Sequence, residues 1–342
     1  MSIMVDTATG VSVRVSSPAF RATFTPRVVP AGDDHAGAGV AAPTSRLTPA
    51  CASSAKSALA EAVLDAEDAL TSVHRSWFAT ASRPCALSPA RVDEGTIRTR
   101  HTEAALRGVP WFDLPNRRRA HKAAQRRALT DISVARRAAE ELVRAEERRI
   151  DQWWNALCAN DSATVTEYVN GVFASDGDTR AAALGTHGAC VEVAVVVPGE
   201  HVLPAEEVRM APDGSLTIRR SSVAHRAHLY RQHVAGVVIA TARKALAASP
   251  GADSVKVHAL RATATGPFDE LALLAVAELT REDILHADFA MDAHSLLHRI
   301  GRGVRMGSEC LDTVMVPLAL DTVPGLAERL EQVCAGHHRA SA

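Results

Sequence analysis

The stretch NRRRAHKAAQRRALTDISVARRAAEELVRAEERRIDQWWNALCAND, residues 116–161, decides how this chain is read. It is built largely of Ala, Arg and Glu, all strong helix formers. Ile132, Ala135, Ala139, Leu142, Ile150, Trp153 and Leu157 recur in it at spacings of three, four or their sums. That period predicts one long helix with a narrow apolar seam. It opens on Arg117, Arg118 and Arg119, closes on Trp153 and Trp154, and separates a helical, charge-laden half from a half with strand patterns.

Working back from this helix, residues 53–79 carry a second seam, Leu59, Val63, Ala66, Leu70, Val73 and Trp77, with Glu61, Asp65, Glu67 and Asp68 off it. The two seams predict an antiparallel coiled hairpin over 53–160, in which small Ala side chains allow close approach and the tryptophans seal the end nearest the next domain. Pro84, Pro89, Pro110 and Pro115 break the connection, with a short helix over 94–106. Further back, V-S-V-R-V at 11–15 and F-R-A-T-F at 20–24 predict a small β-hairpin in residues 1–29. Residues 30–52, rich in Ala, Gly, Pro, Ser and Thr, read as a flexible linker.

Beyond the helix the period changes. Asp161 is placed to cap a helix running to Ala174, and a turn over 175–178 follows. Strands are expected at 190–197, 216–220, 255–260, 271–277 and 315–320, with a long amphipathic helix at 223–248 and a terminal helix at 323–334. Residues 337–342 read as a disordered tail that includes His337 and His338. The fold class expected is α+β: a long antiparallel helical hairpin followed by a mixed sheet with packed helices over 161–336.

Composition limits the function classes. The 342 residues are 47% hydrophobic but only 4% aromatic, so Ala, Val and Leu fill the core and an aromatic platform for stacked bases is disfavoured. A formal charge of -1 supplies no global field toward nucleic acid or an anionic membrane. Arg greatly outnumbers Lys, which occurs only at 56, 122, 244 and 256, as in products of GC-rich genes, and Arg clusters are discounted accordingly. Cys51, Cys85, Cys158, Cys190, Cys310 and Cys334 are scattered, with no C-x-x-C pair. No secretory leader pattern or long apolar span is evident, so a reduced, cytoplasmic protein with no membrane partner is expected.

Candidate chemistry is sparse. Arg117, Arg118, Arg119, Lys122, Arg126 and Arg127 contain no acid among them and are candidate contacts for an anionic partner, or else a solvated helix face. Positive charge at a helix start opposes the macrodipole, which hints at a reason for it. His225, His228 and His233 share one predicted helix beside Arg226 and Arg231, which would repel a cation. His294 and His298, at i and i+4 behind Asp288 and Asp292, are better spaced for a metal. The strand order resembles nuclease-like sheets, for which Glu192, Asp253 and Glu278 are the available carboxylates, without an acid followed two residues later by Lys. There is no G-x-S-x-G, and the Gly-bearing run 301–307 lacks the following helix that a phosphate cradle needs. No cofactor or metal site is expected, and catalytic residues are not assigned.

Residues 11–27 (VSVRVSSPAFRATFTPR), R-S-W-F at 75–78 and the module over 160–261 resemble an actinobacterial family of unknown function. Its members join a short β-segment to a helical region and a C-terminal α+β module, so the resemblance implies architecture and no activity. The expected function is a non-enzymatic interaction or assembly protein, with a protein partner or self-association through the hairpin. The alternative is a nucleic-acid-binding or nuclease-like protein using the 117–127 patch and the sheet carboxylates.

Overall fold

The computed structural model describes residues 49–175, 181–211, 216–263, 270–307, 315–319 and 323–330. The expected β-hairpin of 1–29, most of the linker, the 175–178 turn beyond Ser175 and the 337–342 tail lie outside them. Helix α1 (Pro49–Thr71) begins inside the stretch expected as linker. It is followed by a 3-10 turn (Val73–Arg75), α2 (Glu94–Leu106), α3 (Leu114–Cys158) and α4 (Ser162–Ala174). Then come β1 (Ala181–His187), β2 (Cys190–Val196), β3 (Glu206–Met210), β4 (Leu216–Arg220) and α5 (Val223–Ala248). The chain continues through β5 (Ser254–Thr263), β6 (Glu270–Thr280), α6 (Arg281–Leu285), α7 (Ala293–Ile300) and β7 (Gly301–Met306).

The fold is α+β, as the sequence predicts. A mixed sheet runs β1-β2-β5-β6-β7, with β2 and β5 parallel and the other neighbours antiparallel, and β3-β4 forms a separate ribbon. Val191, Val193 and Val195 alternate on β2 and, with Val255, Val257 and Ala259 of β5, belong to the main core beneath α5. Helix α5 is buried along most of its length, with Tyr230, Val238 and Ile239 fully enclosed. On the other sheet face a smaller cluster, Ala194, Leu260, Leu273 and Val276, is covered by Val323 and Leu326.

One expected strand and one expected loop are corrected. Residues 315–319 make a single bridge, Leu318 to Leu273, among the described residues, and the loop expected at 301–307 is instead the edge strand β7 over Gly301–Met306. Gly301 fits there because an added Cβ would lie 2.5 Å from the Leu297 carbonyl oxygen.

The helical hairpin exists, but with a different second arm. The seam of α3 at Ala124, Ala128 and Ile132 is covered by α2, and the ion pairs Glu94 to Arg136 and His101 to Asp131 (2.7 Å) set an antiparallel register. Helix α1 lies instead on α5 and the β3-β4 ribbon. Its buried Ala60 and Val63 are accompanied by polar ties: His225 to Glu67 at 2.9 Å, His233 Nδ1 to the Leu70 carbonyl at 3.2 Å, and Arg243 donating to the His74 carbonyl at 2.6 Å. A hydrophobic period shows that a helix has a partner without naming it, and these long-range polar ties decide between the two.

The root of α3 is fixed firmly. Ile150 and Leu157 are buried, Trp153 and Trp154 pack against the main core, and Trp153 meets Tyr168 edge-on at 5.2 Å. Asp161 caps α4 through Thr164 N at 3.0 Å.

Candidate functional site

Three places gather the side chains that sequence reasoning selected. The first is the outer face of the sheet. Cross-strand register places Glu192 of β2 opposite Lys256 of β5, Lys256 opposite Glu278 of β6, and Glu278 opposite Arg302 of β7. Neighbouring strands are about 4.8 Å apart, so the row alternates acid and base at that spacing. Glu192 is only 2% exposed. It accepts hydrogen bonds from His258 Nε2 at 2.7 Å and Arg329 at 3.0 Å, and His187 lies 3.3 Å from its second oxygen. Burial opposes its charge, but the His258 hydrogen bond and the charges of His258, Arg329 and Lys256 prevail and hold its pKa at about 2. Glu278 accepts from Ser254 Oγ at 2.9 Å, while Asp253 is exposed ahead of β5. The expected carboxylate trio therefore does not converge. Glu192 and Glu278 share a face, but Lys256 stands between them, and Glu192 is taken up by protein cations. Among the described residues no group of three or more His, Cys, Asp or Glu is placed to hold a metal ion.

The second place is a shallow pocket of about 350 Å³ between α5 and α7, lined by His228, Arg231, Gln232, Asp292, His294 and Ser295. Gln232 is buried and acts as a clamp: its Nε2 donates to Asp292 Oδ1 at 2.8 Å and its Oε1 accepts from His294 N at 3.0 Å. Asp292 also caps α7 through Ser295 N at 2.9 Å. Burial works against its charge, yet these hydrogen bonds and nearby His294 keep its pKa at about 2. His294 sits edge-on to His298 at 4.7 Å and is lowered by burial, then by the charges of His298, Arg231 and His228. Asp288 turns back to its own loop, bonding Ala290 N at 3.0 Å. The three histidines of α5 part company: His228 faces this pocket, His225 faces Glu67, and His233 is buried against Leu70. The pocket is a hydrogen-bonded joint that holds α7 to α5.

Among the described thiols, Cys85 and Cys158 are exposed, and burial pushes Cys190 up, away from thiolate.

The third place is the tip of the α2-α3 arm, where the turn over 107–113 joins the helices. Trp111, Phe112 and Leu114 are 81%, 69% and 61% exposed, with Trp111 edge-on to Phe112 at 6.0 Å. Asp113 caps α3 through Asn116 N at 3.2 Å, so the helix start carries one acid of its own. Arg117, on the side facing α2, donates to the Val109 carbonyl at 3.3 Å. At 3.6 residues per turn, Arg118, Arg119, Lys122, Arg126 and Arg127 spread over the half of the helix that α2 leaves open. All five are exposed, and among the described residues none of the six basic side chains pairs with a carboxylate. The result is an apolar aromatic cap followed by a basic collar. Sequence reasoning found the collar and missed the cap. The available signal was W-F-D-L between two prolines, at a turn where neither helix can cover it.

Comparison of the chain with models of protein families, with curated proteins and with solved structures finds no match. The functional reading therefore rests on the geometry above.

Proposed function

We propose that this is a non-enzymatic docking or assembly protein, in which the sheet domain is a rigid base and the α2-α3 arm presents the binding tip. The single observation that carries the reading is the exposure of Trp111, Phe112 and Leu114 together at the end of the arm. Aromatic side chains with Arg are the residues that dominate protein interfaces, because they bury large area at low cost in side-chain entropy. Three adjoining apolar side chains held in water serve no folding purpose, since α2 and α3 already close on each other through Ala124, Ala128 and Ile132. Glu192 and Glu278 of the sheet, and Gln232 and Asp292 of the α5-α7 pocket, are hydrogen-bonded within the protein, which supports a structural role for these four.

The reading is tested by gel filtration of the full chain in extracts of its source cells. Wild-type protein is expected in a complex above its own 36.2 kDa, and the double variant Trp111→Ser, Phe112→Ser at monomer mass. Identical elution of the two would remove the tip from consideration.

A second reading has its own observation. The unpaired basic collar suits nucleic-acid phosphates. It predicts salt-dependent oligonucleotide binding that is lost when Arg118, Arg119 and Lys122 become Gln, with little contribution from Trp111.

A further inference from the structure

We propose that the arm tip docks on the outer face of α1 in a second copy of this chain, an inference that rests on the docking reading above and names its partner. The tip requires an occupant that is acidic and partly apolar. The chain itself carries such a surface. Glu61, Leu64, Asp65 and Asp68 fall at i, i+3, i+4 and i+7 of α1, so they share one face, and all four are exposed. That face is turned about 130° from the Ala60 and Val63 side buried against the base. Leu64, 47% exposed, supplies an apolar contact at its edge, beside the acids. Among the described residues Glu61, Asp65 and Asp68 make no ion pair, while Glu67, on the inner side, is used by His225.

The like charges of this face repel one another along the helix, as the cations of the collar do along α3. Bringing the two surfaces together relieves both, and both are written into one sequence whose formal charge is only -1. The contact cannot be made within one molecule. The tip is about 36 residues of continuous helix from Ile150, where α3 meets the core, a distance of roughly 54 Å at 1.5 Å per residue, and α1 lies on that core.

The test is light scattering and sedimentation of full-length chains at low and high salt. Wild type is expected to self-associate with an affinity that falls as salt rises. Reversal of the collar (Arg118→Glu, Arg119→Glu, Lys122→Glu) or of the α1 face (Glu61→Lys, Asp65→Lys, Asp68→Lys) should each weaken association by about a hundredfold or more, since like charges then face each other across the contact. A mixture of the two variants should associate again, as should the chain carrying both reversals. That rescue separates a lost contact from a lost fold. A monomeric wild type at every concentration overturns the proposal, as does association that the α1 reversal leaves unchanged. A monomer that binds oligonucleotides through the collar overturns it in favour of a nucleic-acid partner. In the first two cases the docking reading of the tip survives, whereas it falls if Trp111 and Phe112 also prove silent in cell extracts.

Discussion

Gln232 on α5 spans the two ends of one cap on α7: its amide nitrogen donates to Asp292 at 2.8 Å, and its amide oxygen accepts from the backbone of His294, two residues on, at 3.0 Å. A side chain with both ends satisfied at 5% exposure is a fixed joint. It accounts for Asp292 and His294, which are spaced like metal ligands and yet join α7 to α5 through a cap carboxylate and a backbone amide.

Gln232→Ala should therefore cost about 1–3 kcal/mol, the penalty for leaving a buried cap partner unmatched. Denaturant unfolding measures this, with His294→Ala as the contrast. Because His294 contributes its backbone to the clamp, that substitution should cost much less than Gln232→Ala.

Glu192 sets the acid limit of the sheet. Its folded pKa, about 2, lies below the ordinary value of 4.5, so its contribution is fully present above pH 4.5 and is lost as pH falls toward 2. The difference is worth about 3 kcal/mol. Melting temperature of the wild type should drop across that window beyond what general acid unfolding of Glu192→Gln shows. The variant should be less stable at neutral pH and flatter in acid; parallel curves for the two would mean that Glu192 carries no native charge interaction.

Gly251 lies against the end of α3, where an added Cβ would sit 2.1 Å from the Cys158 carbonyl oxygen. Gly251→Ala should destabilise by about 1–3 kcal/mol through overpacking at the arm root. The change is read as a lower midpoint in urea with an unchanged slope.

The arm should open more readily than the base. Helix α2 has no fully buried residue, it covers only a narrow seam of α3, and its polar ties to α3 are surface ion pairs worth about 0–1 kcal/mol each, whereas α5 is enclosed by the sheet and by α7. Amide exchange is expected to be fast in α2 and slowest in α5. Equal protection would contradict a thin, separately opening hairpin.

The legible parts of the fold were those with strong local signals. The Asp161 cap, the 94–106 and 223–248 helices and the 216–220 strand follow from capping and period alone, and the structure reproduces them. Strand β1 escaped because AAALGTH has no β-branched residue until Thr186, and β7 because GRGVRM reads as a loop. The partner of α3 was misassigned because α1 and α2 both offer compatible faces, and only tertiary contacts such as His225 to Glu67 decide. At the candidate sites, residue types were readable but pairing was not. His258, Lys256 and Arg329 around Glu192 come from two other segments, and the aromatic cap needs the arm's geometry to be seen as exposed.

The measurement that tests the docking account most directly is cross-linking inside the source cells from a photoreactive side chain at position 112, compared with one at position 142 on the middle of α3. The account predicts a discrete adduct from 112, reduced by reversal of the collar charges, and little from 142. An absence of adducts at 112, or equal capture from both positions, would contradict it.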